Sequence, residues 1–360
     1  LHRGRVPVRS MSNAWLPIPG WSGEHEWQGT IPFESLSRLR NPSTGFIVSA
    51  NNRISDQSYP YYLALSFAPE YRARRIYERL KSLTGATVKD MRSIHGDFLS
   101  IPAGVLAKVI ELAEPSDEFA LRAQAMLAGW TGAMAPDAAA PTIYAAFRIK
   151  LLHRIIGNLA GPLVDMMFTS TGRGAPRHVA ELASQIVNQA KTGDESFLPL
   201  GASWRSVATG ALEEAVEYLR HRLGDDLAAW KWGAVHRASP QHPISRLFPG
   251  QESFLNPPSM PMGGDGDTPL ASGYSPGRPF DVTLLSIVRY VFDPSDWDRS
   301  CWAVPLGVSG HPGSPHYADQ APIWAAVDLV PMRYNWERIT AEAESRQRLE
   351  PPQIMARTEV

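Results

Sequence analysis

The spacing of apolar positions along this chain changes character twice. Residues 1 to 60 carry short apolar runs broken by Pro, Gly and Trp. Within them "GRVPV" (4–8) and "TGFIVSA" (44–50) read as strands, because β-branched residues are bounded by turn formers. From about 68 to 235 the period becomes helical. In "ALEEAVEYLRHRLG" (211–224) Leu212, Ala215, Val216, Leu219 and Leu223 fall on one face, and Gly224 stands where a helix stops. "RARRIYERLKSL" (72–83) and "RHVAELASQIVNQAKTG" (177–193) repeat that pattern. Clusters of Pro, Gly and Asp near 115, 135, 162 and 194 separate the helices. Strands return after 236, clearest in "FDVTLLSIVRYVF" (280–292) and "SCWAVPLG" (300–307), and the tail from 319 to 349 again reads as helical.

This order predicts an α+β protein: a sheet-containing core from residues 1–67 and 236–360, with a helical lobe of residues 68–235 inserted in it. It also predicts that the strand ending at Ala50 joins the strands near 282–292 and 301–306 in one sheet, although a lobe separates them in sequence. No fixed-period repeat is visible.

Composition changes this picture little. In 360 residues, 44% are hydrophobic and 20% charged, enough for a sizeable core. Lys plus Arg number 35 against 36 Asp plus Glu, so no field attracts nucleic acid or an anionic membrane. The single cysteine, Cys301, excludes an intrachain disulfide and a cysteine-based metal site. The most apolar helix, "TIYAAFRIKLLHRIIGNLAG" (142–161), is interrupted by Arg148, Lys150, His153 and Arg154, which marks it as a soluble helix rather than a membrane span. The first ten residues contain no signal-peptide apolar region.

Three motifs invite chemistry. "SGHPGSPHYADQ" (309–320) brings His311, His316 and Asp319 together, but Pro312, Gly313, Ser314 and Pro315 between the histidines are loop residues. A zinc site usually sets two ligands on one regular element. A hydrogen-bonded turn without metal is the expectation, with Asp319 near the start of the next helix. "GGDGDTP" (263–269) lacks the spaced oxygen set and the closing Glu of a calcium loop, so Asp265 and Asp267 are read as a hydrogen-bonded loop. "SNAW" (12–15) holds a Ser-Asn-x-Trp sequence.

Several stretches, in order, resemble the penicillin acylases, a group of N-terminal-nucleophile (Ntn) amidohydrolases: "PIPGWSGEHEWQGTIPFESLSRLRNPSTGFIVSANNRI" (17–54), "YPYYL" (59–63) with "YRARRI" (71–76), "GALEEAVEYLRHRLGDDLAAWKWG" (210–233), "GGDGDTP" and "LGVSGHPGSPHYADQAPIW" (306–324). The resemblance is to the C-terminal part of the family's large β chain. It implies part of an αββα sandwich with a large helical insertion, and hydrolysis of linear amides by an N-terminal Ser that is not in this chain. Ser12 is rejected as that nucleophile, because it lies 39 residues before Asn51 and directly before "LPIPGW", whereas the family's nucleophile lies far upstream. The resemblance makes Asn51, the first Asn of "SANNRI", an oxyanion-hole donor; read from the residues alone, Asn51 is an Asn-Asn turn after a strand. Asn52 is expected to be structural. Arg72 matches an arginine near the family's active site, but a one-residue shift leaves Arg74 or Arg75 open for that place, and the residues alone read as a solvated basic face.

The family further implies a periplasmic or extracellular location and autoproteolytic processing. Its partners would be the small chain and N-terminal part of the same precursor, with no nucleic acid and no membrane span. The substrate would be a small acylated amine, of the penicillin, cephalosporin or N-acyl-homoserine-lactone type. Calcium is expected in the intact protein but not in this chain, because the position where a late acidic ligand would fall is occupied by "YYLAL" (61–65). The alternative is a non-catalytic binding protein that keeps the fold.

Overall fold

The structure, a computed structural model, describes residues 4–9, 17–169 and 175–351. The Ser12–Trp15 stretch lies outside the described residues. Helix α1 spans Tyr71–Lys81, α2 Val88–His95, α3 Ile101–Glu111, α4 Glu118–Ala125, α5 Ala140–Ala160, α6 Val164–Thr169, α7 Ala175–Thr192 and α8 Trp204–Leu223. Two short helices follow, α9 Trp232–Val235 and α10 Glu252–Leu255. The strands are β1 Arg237–Ala238, β2 Met260–Pro261, β3 Ser272–Gly273, β4 Leu284–Leu285, β5 Arg289–Val291 and β6 Cys301–Ala303. The chain then forms α11 Ala321–Ala325, β7 Val330–Pro331 and α12 Trp336–Glu342.

The helical core is built on α5 against α8. Helix α5 starts with Pro141 in its first turn, where a missing N–H costs nothing. It buries Ile143, Tyr144, Phe147, Leu151, Leu152, Ile155 and Ile156. The facing side of α8 is small: Ala208, Ala211 and Ala215 let the two helices approach closely. Ser203 and Ser206 cap α8 reciprocally, each side chain meeting the other residue's N–H. At its end Gly224 takes φ 81°, and its N–H reaches the Arg220 carbonyl, as the sequence led one to expect of a helix stop. Trp230, Trp232 and Phe280 are fully buried against this core. The Trp232 indole donates 3.0 Å to the Gly264 carbonyl and so ties the helical core to the 263–269 loop.

The sheets are small and separate. β1 pairs with β2, β3 with β4, and β6 lies between β5 and β7, all antiparallel. A second core, of Ala238, Met260, Met262, Ala303, Ala321 and Trp324, lies against them. The α+β character holds, but the expected shared sheet is corrected. Residues 46–50 carry no ladder, and the 280–292 stretch divides, with Leu284–Leu285 on β3 and Arg289–Val291 on β6. Each of these pairings closes a short loop, which costs less chain entropy than bringing residue 50 to strands more than two hundred residues away. "GRVPV" makes one bridge, Pro7 to Thr30, rather than a longer ladder. The tail is also less helical than its composition suggests: Val327 takes φ 56° after α11 and leads into β7, and α12 buries no residue, so nothing holds a longer helix there.

His236 is fully buried, stacked on Trp232 with ring centroids 4.2 Å apart, and its Nδ1 meets the Phe280 carbonyl at 2.5 Å. Burial, only partly opposed by that carbonyl, lowers its pKa to about 4. Between there and the ordinary value near 6.5, unfolding takes up a proton, so stability falls as pH is lowered through that window and is fully present above it. The difference corresponds to at most roughly 3 kcal/mol. Urea unfolding of His236→Phe and of the parent chain, compared from pH 4 to 7, should show a flatter pH dependence in the variant; parallel curves would show that His236 does not titrate with unfolding.

Candidate active site

Asn51 sits at a sharp turn. Its backbone is left-handed, φ 64°, a region asparagine tolerates better than most residues. The turn is closed by its neighbour: Ala50 N–H donates 3.0 Å to Asn52 Oδ1, and Asn52 Nδ2 donates 3.0 Å to the Arg53 carbonyl. The Asn51 carbonyl accepts from Ala68 N–H at 2.9 Å. Asn52 is therefore spent on the backbone, while the Asn51 side chain stands at the exposed surface.

Of the three arginines that the sequence left open, Arg72 is the one that meets Asn51. Its Nη2 donates 3.2 Å to Asn51 Oδ1. The Arg74 side chain is exposed and hydrogen-bonds to none of the described residues; its backbone N–H bonds to the Glu70 carbonyl at 2.8 Å. Arg75 turns to Asp97, with Nε 3.0 Å from Oδ1 and Nη2 2.8 Å from Oδ2, and Arg79 reaches the same carboxylate. A cationic donor on Oδ1 fixes which way the amide faces, because only the oxygen can accept. Asn51 Nδ2 is thereby turned away from Arg72, and among the described residues it meets no acceptor.

Nothing in the sequence singles out Asp97, whose side chain is 3% exposed. Burial alone would raise its carboxyl; the Arg75 fork, the Leu99 N–H and Arg79 outweigh that and hold it below the usual carboxylate value. Asp97 thus clamps α1, and its carbonyl accepts from Leu270 N–H at 2.9 Å, at the end of the 263–269 loop.

That loop is a buried charge cluster. Asp265 is fully buried; its Oδ1 accepts from Asp267 N–H at 2.8 Å and its Oδ2 from Ser100 Oγ–H at 3.0 Å. Arg148 Nη1 donates 2.9 Å to Asp267 Oδ2 and lies 4.0 Å from Asp265. Burial, and then repulsion from Asp267, push the Asp265 carboxyl above its ordinary range, against the pull of Arg148. Arg148 therefore does not solubilise its helix face as the sequence suggested; it points inward, 16% exposed. A charge amid Tyr144, Phe147 and Leu151 on α5 was the available signal.

His311, His316 and Asp319 make a turn far from Asn51 in sequence. Gly313 N–H donates 3.0 Å to His311 Nδ1, and Ser309 N–H donates 3.0 Å to the His316 carbonyl. His316 pairs with Asp319 at 2.9 Å and with Glu344 at 3.3 Å, and these two carboxylates raise its pKa. Among the described residues no group of three or more His, Cys, Asp or Glu is arranged to hold a metal. The expected position of a late calcium ligand holds Tyr61 and Tyr62, which offer no carboxylate.

The penicillin amidase family model matches residues 1–341, nearly the whole chain. The chain belongs to the penicillin amidase family. Among relatives, it is 40% identical to the penicillin acylase 2 proenzyme of Pseudomonas sp. (strain SE83) over 358 residues, covering 98% of this chain and 44% of that protein. It is 24% identical to the acyl-homoserine lactone acylase QuiP of Pseudomonas aeruginosa over 348 residues, covering 89% of this chain and 41% of that protein. The thermostable penicillin G acylase from Alcaligenes faecalis superposes with a TM-score of 0.58 at 18% identity, covering 96% of this chain and 64% of that one. The last likeness shows that this penicillin amidase family chain shares the acylase's Ntn fold. The chain spans less than half the length of the curated relatives it matches.

Removing one partner of a buried ion pair leaves a charge uncompensated, at a cost of about 3–5 kcal/mol. Asp97→Ala should therefore destabilise the protein by roughly that amount in denaturant unfolding. A loss below about 1 kcal/mol would place Asp97 at the level of a surface pair and end its role as the clamp of α1.

Proposed function

We propose that this chain is the C-terminal part of an Ntn acylase that hydrolyses a linear amide through an acyl–Ser intermediate, with the nucleophilic Ser supplied from outside this chain. Asn51 is one of the oxyanion donors and Arg72 supports it. The observation that carries the reading is the Asn51 amide. It is held through Oδ1 by Arg72 at 3.2 Å, exposed, with its Nδ2 donor uncommitted among the described residues. Family membership and 40% identity to a penicillin acylase proenzyme support it.

The chemistry follows from the geometry. Attack on the amide carbonyl places negative charge on its oxygen, and Asn51 Nδ2–H donates to that oxyanion without itself titrating. The Arg72 guanidinium withdraws density through Oδ1 and resists rotation of the amide, so the donor is set before charge develops. The N-terminal Ser would use its own α-amine as base, as the family implies. Calcium, which the family implies for the intact protein, would have to be held mainly by residues outside this chain, and no step above depends on it. The substrates are acylated amines, either penicillin- or cephalosporin-type or N-acyl-homoserine lactones; the two sets of relatives named above represent both types. The helical lobe of residues 68–235 would lie between the sheet-bearing parts, 1–67 and 236–360. Work in the periplasm or outside the cell rests on the family resemblance. No helix among the described residues is long and apolar enough to cross a membrane.

In the intact acylase Asn51→Ala should lower kcat by about 10²–10³, roughly 3–4 kcal/mol, and change KM little, because the lost bond strengthens in the transition state. Asn52→Ala should lower the melting temperature and leave kcat within a few-fold. Steady-state kinetics on the two variants decides the matter: near-normal kcat in Asn51→Ala removes the oxyanion role, whereas absence of any turnover of acylated amines by the unsubstituted intact protein favours a binding protein that keeps the acylase fold.

A further inference from the structure

Arg148 and Arg289 both turn into the protein, and their charges are met differently. Arg148 has Asp267 and Asp265. Arg289, on β5, is 4% exposed and makes no ion pair among the described residues. Its Nη1 donates to the Trp324 carbonyl on α11, and its Cζ lies 4.0 Å from the centre of the Trp324 ring. The carbonyl dipole and the ring face offset part of the burial, but neither cancels a full charge. Burial lowers the Arg289 pKa to about 10, still far above neutrality, so the guanidinium keeps its proton.

Two donors at this contact have no partner. Arg289 Nη2 and Trp324 Nε1 are buried and hydrogen-bond to none of the described residues. Nη2 is one bond from Cζ, and Nε1 belongs to the ring on which Cζ stacks, so one small ligand can touch both. Each buried N–H left unmet is costly, more so on a charged group. Helix α2 packs against β5, and its last residue, His95, adds a third buried nitrogen without a partner, Nδ1. Burial, and then the charge of Arg289, lower the His95 pKa, so this histidine is neutral and offers no countercharge. The acid that follows shortly after Trp324, Asp328, pairs with Arg92 at 2.8 Å instead. Arg92 Nε also donates 3.0 Å to the Val327 carbonyl, and Val327 packs over Gly96, where a Cβ would lie 3.3 Å from Val327 Cγ1. The seam between α2 and the end of α11 is thus closed beside the unpaired guanidinium.

We propose that Arg289 and Trp324 form a binding site for one small monovalent anion, a halide or a carboxylate group, which accepts from Arg289 Nη2 and Trp324 Nε1 and locks the three-stranded sheet to α11. Charge is the reason for an anion rather than a water molecule. Water would accept both N–H bonds, yet it would leave the guanidinium uncompensated in a buried place. One cation calls for one negative charge, and the neutral His95 adds no second cation. The anion comes either from solution or from a carboxylate side chain in the part of the precursor outside this chain. The site shares no residue with the Asn51 turn.

The test is a crystal structure of the intact acylase grown in bromide, read by bromine anomalous scattering, beside melting curves in bromide and in a bulky sulfonate at equal ionic strength. A bromine peak within hydrogen-bond distance of Arg289 Nη2 and Trp324 Nε1 is expected, and bromide should raise the melting temperature by about 2 °C or more. Arg289→Met keeps an apolar stem over the ring and removes the charge, so it should abolish both the peak and the shift. Trp324→Phe keeps an aromatic ring and removes only the N–H; it should raise the bromide concentration for half the shift about tenfold. That variant and the unsubstituted crystal still decide if Arg289→Met folds poorly. Should the precursor itself supply the anion, the same crystal shows one of its carboxylates on Nη2 and no bromine peak, and replacing that residue by its amide should open the site to bromide; this outcome supports the site and names its source. Only water at Nη2, a bromine peak with no effect on melting (an adventitious ion only), or an Arg289→Met variant that keeps the bromide shift would overturn the proposal.

Discussion

The placement of one positive charge constrains much of this structure. Arg148 lies in the middle of α5, the helix around which the largest core is packed, with Tyr144, Phe147 and Leu151 nearby on the same helix. A cation there is tolerable only if a carboxylate is delivered to it with good geometry. The 263–269 loop makes that delivery, and to do so it must fold back against α5 from more than a hundred residues downstream. The tight glycine turn, the buried Thr268 and Ser272 hydroxyls and the Trp232 indole all serve to hold that re-entry.

The same loop joins α5 to α1. Leu270 bonds to the Asp97 backbone, and the Asp97 carboxylate takes the Arg75 fork and Arg79. The rotation of α1 about its axis is therefore set on its inner side by a buried ion pair. Arg72, one turn earlier, is left facing the Asn51 turn. The geometry at Asn51 is in this sense a consequence of charge burial in the joint, rather than of the loop that carries Asn51 itself, which has few tertiary hydrogen bonds.

The periphery behaves differently. The segment before α1 exposes Trp21, Trp27 and Phe33. Among the described residues the three sheets have two or three strands each, and such sheets gain little stability alone and depend on the cluster around Trp324. Over there Arg289 stacks on the Trp324 ring and donates to its carbonyl, so the three-stranded sheet is pinned to α11 through a side chain as well as through its ladder.

What the sequence determined by itself is local. The 3.6-residue period of 211–224 located α8, Gly224 ended it, and Pro, Gly and Asp clusters marked the breaks between helices, because propensity and capping act over a few residues. Ordered motifs from 17 to 324 were enough to reach the family, and within it "SANNRI" marked Asn51 as the candidate. What only the tertiary structure decided is non-local. Strand pairing depends on which partner closes the cheaper loop, so 280–292 divided between two sheets and 46–50 joined neither. Three arginines at 72, 74 and 75 are alike in sequence, and their different roles follow from the turn of α1 against Asp97 and Asn51. The apolar neighbours of Arg148 on α5 hinted that it turns inward, but which carboxylates it meets could not be read there, because its partners lie 117 and 119 positions away and a charge's surroundings are fixed only once distant segments have packed around it.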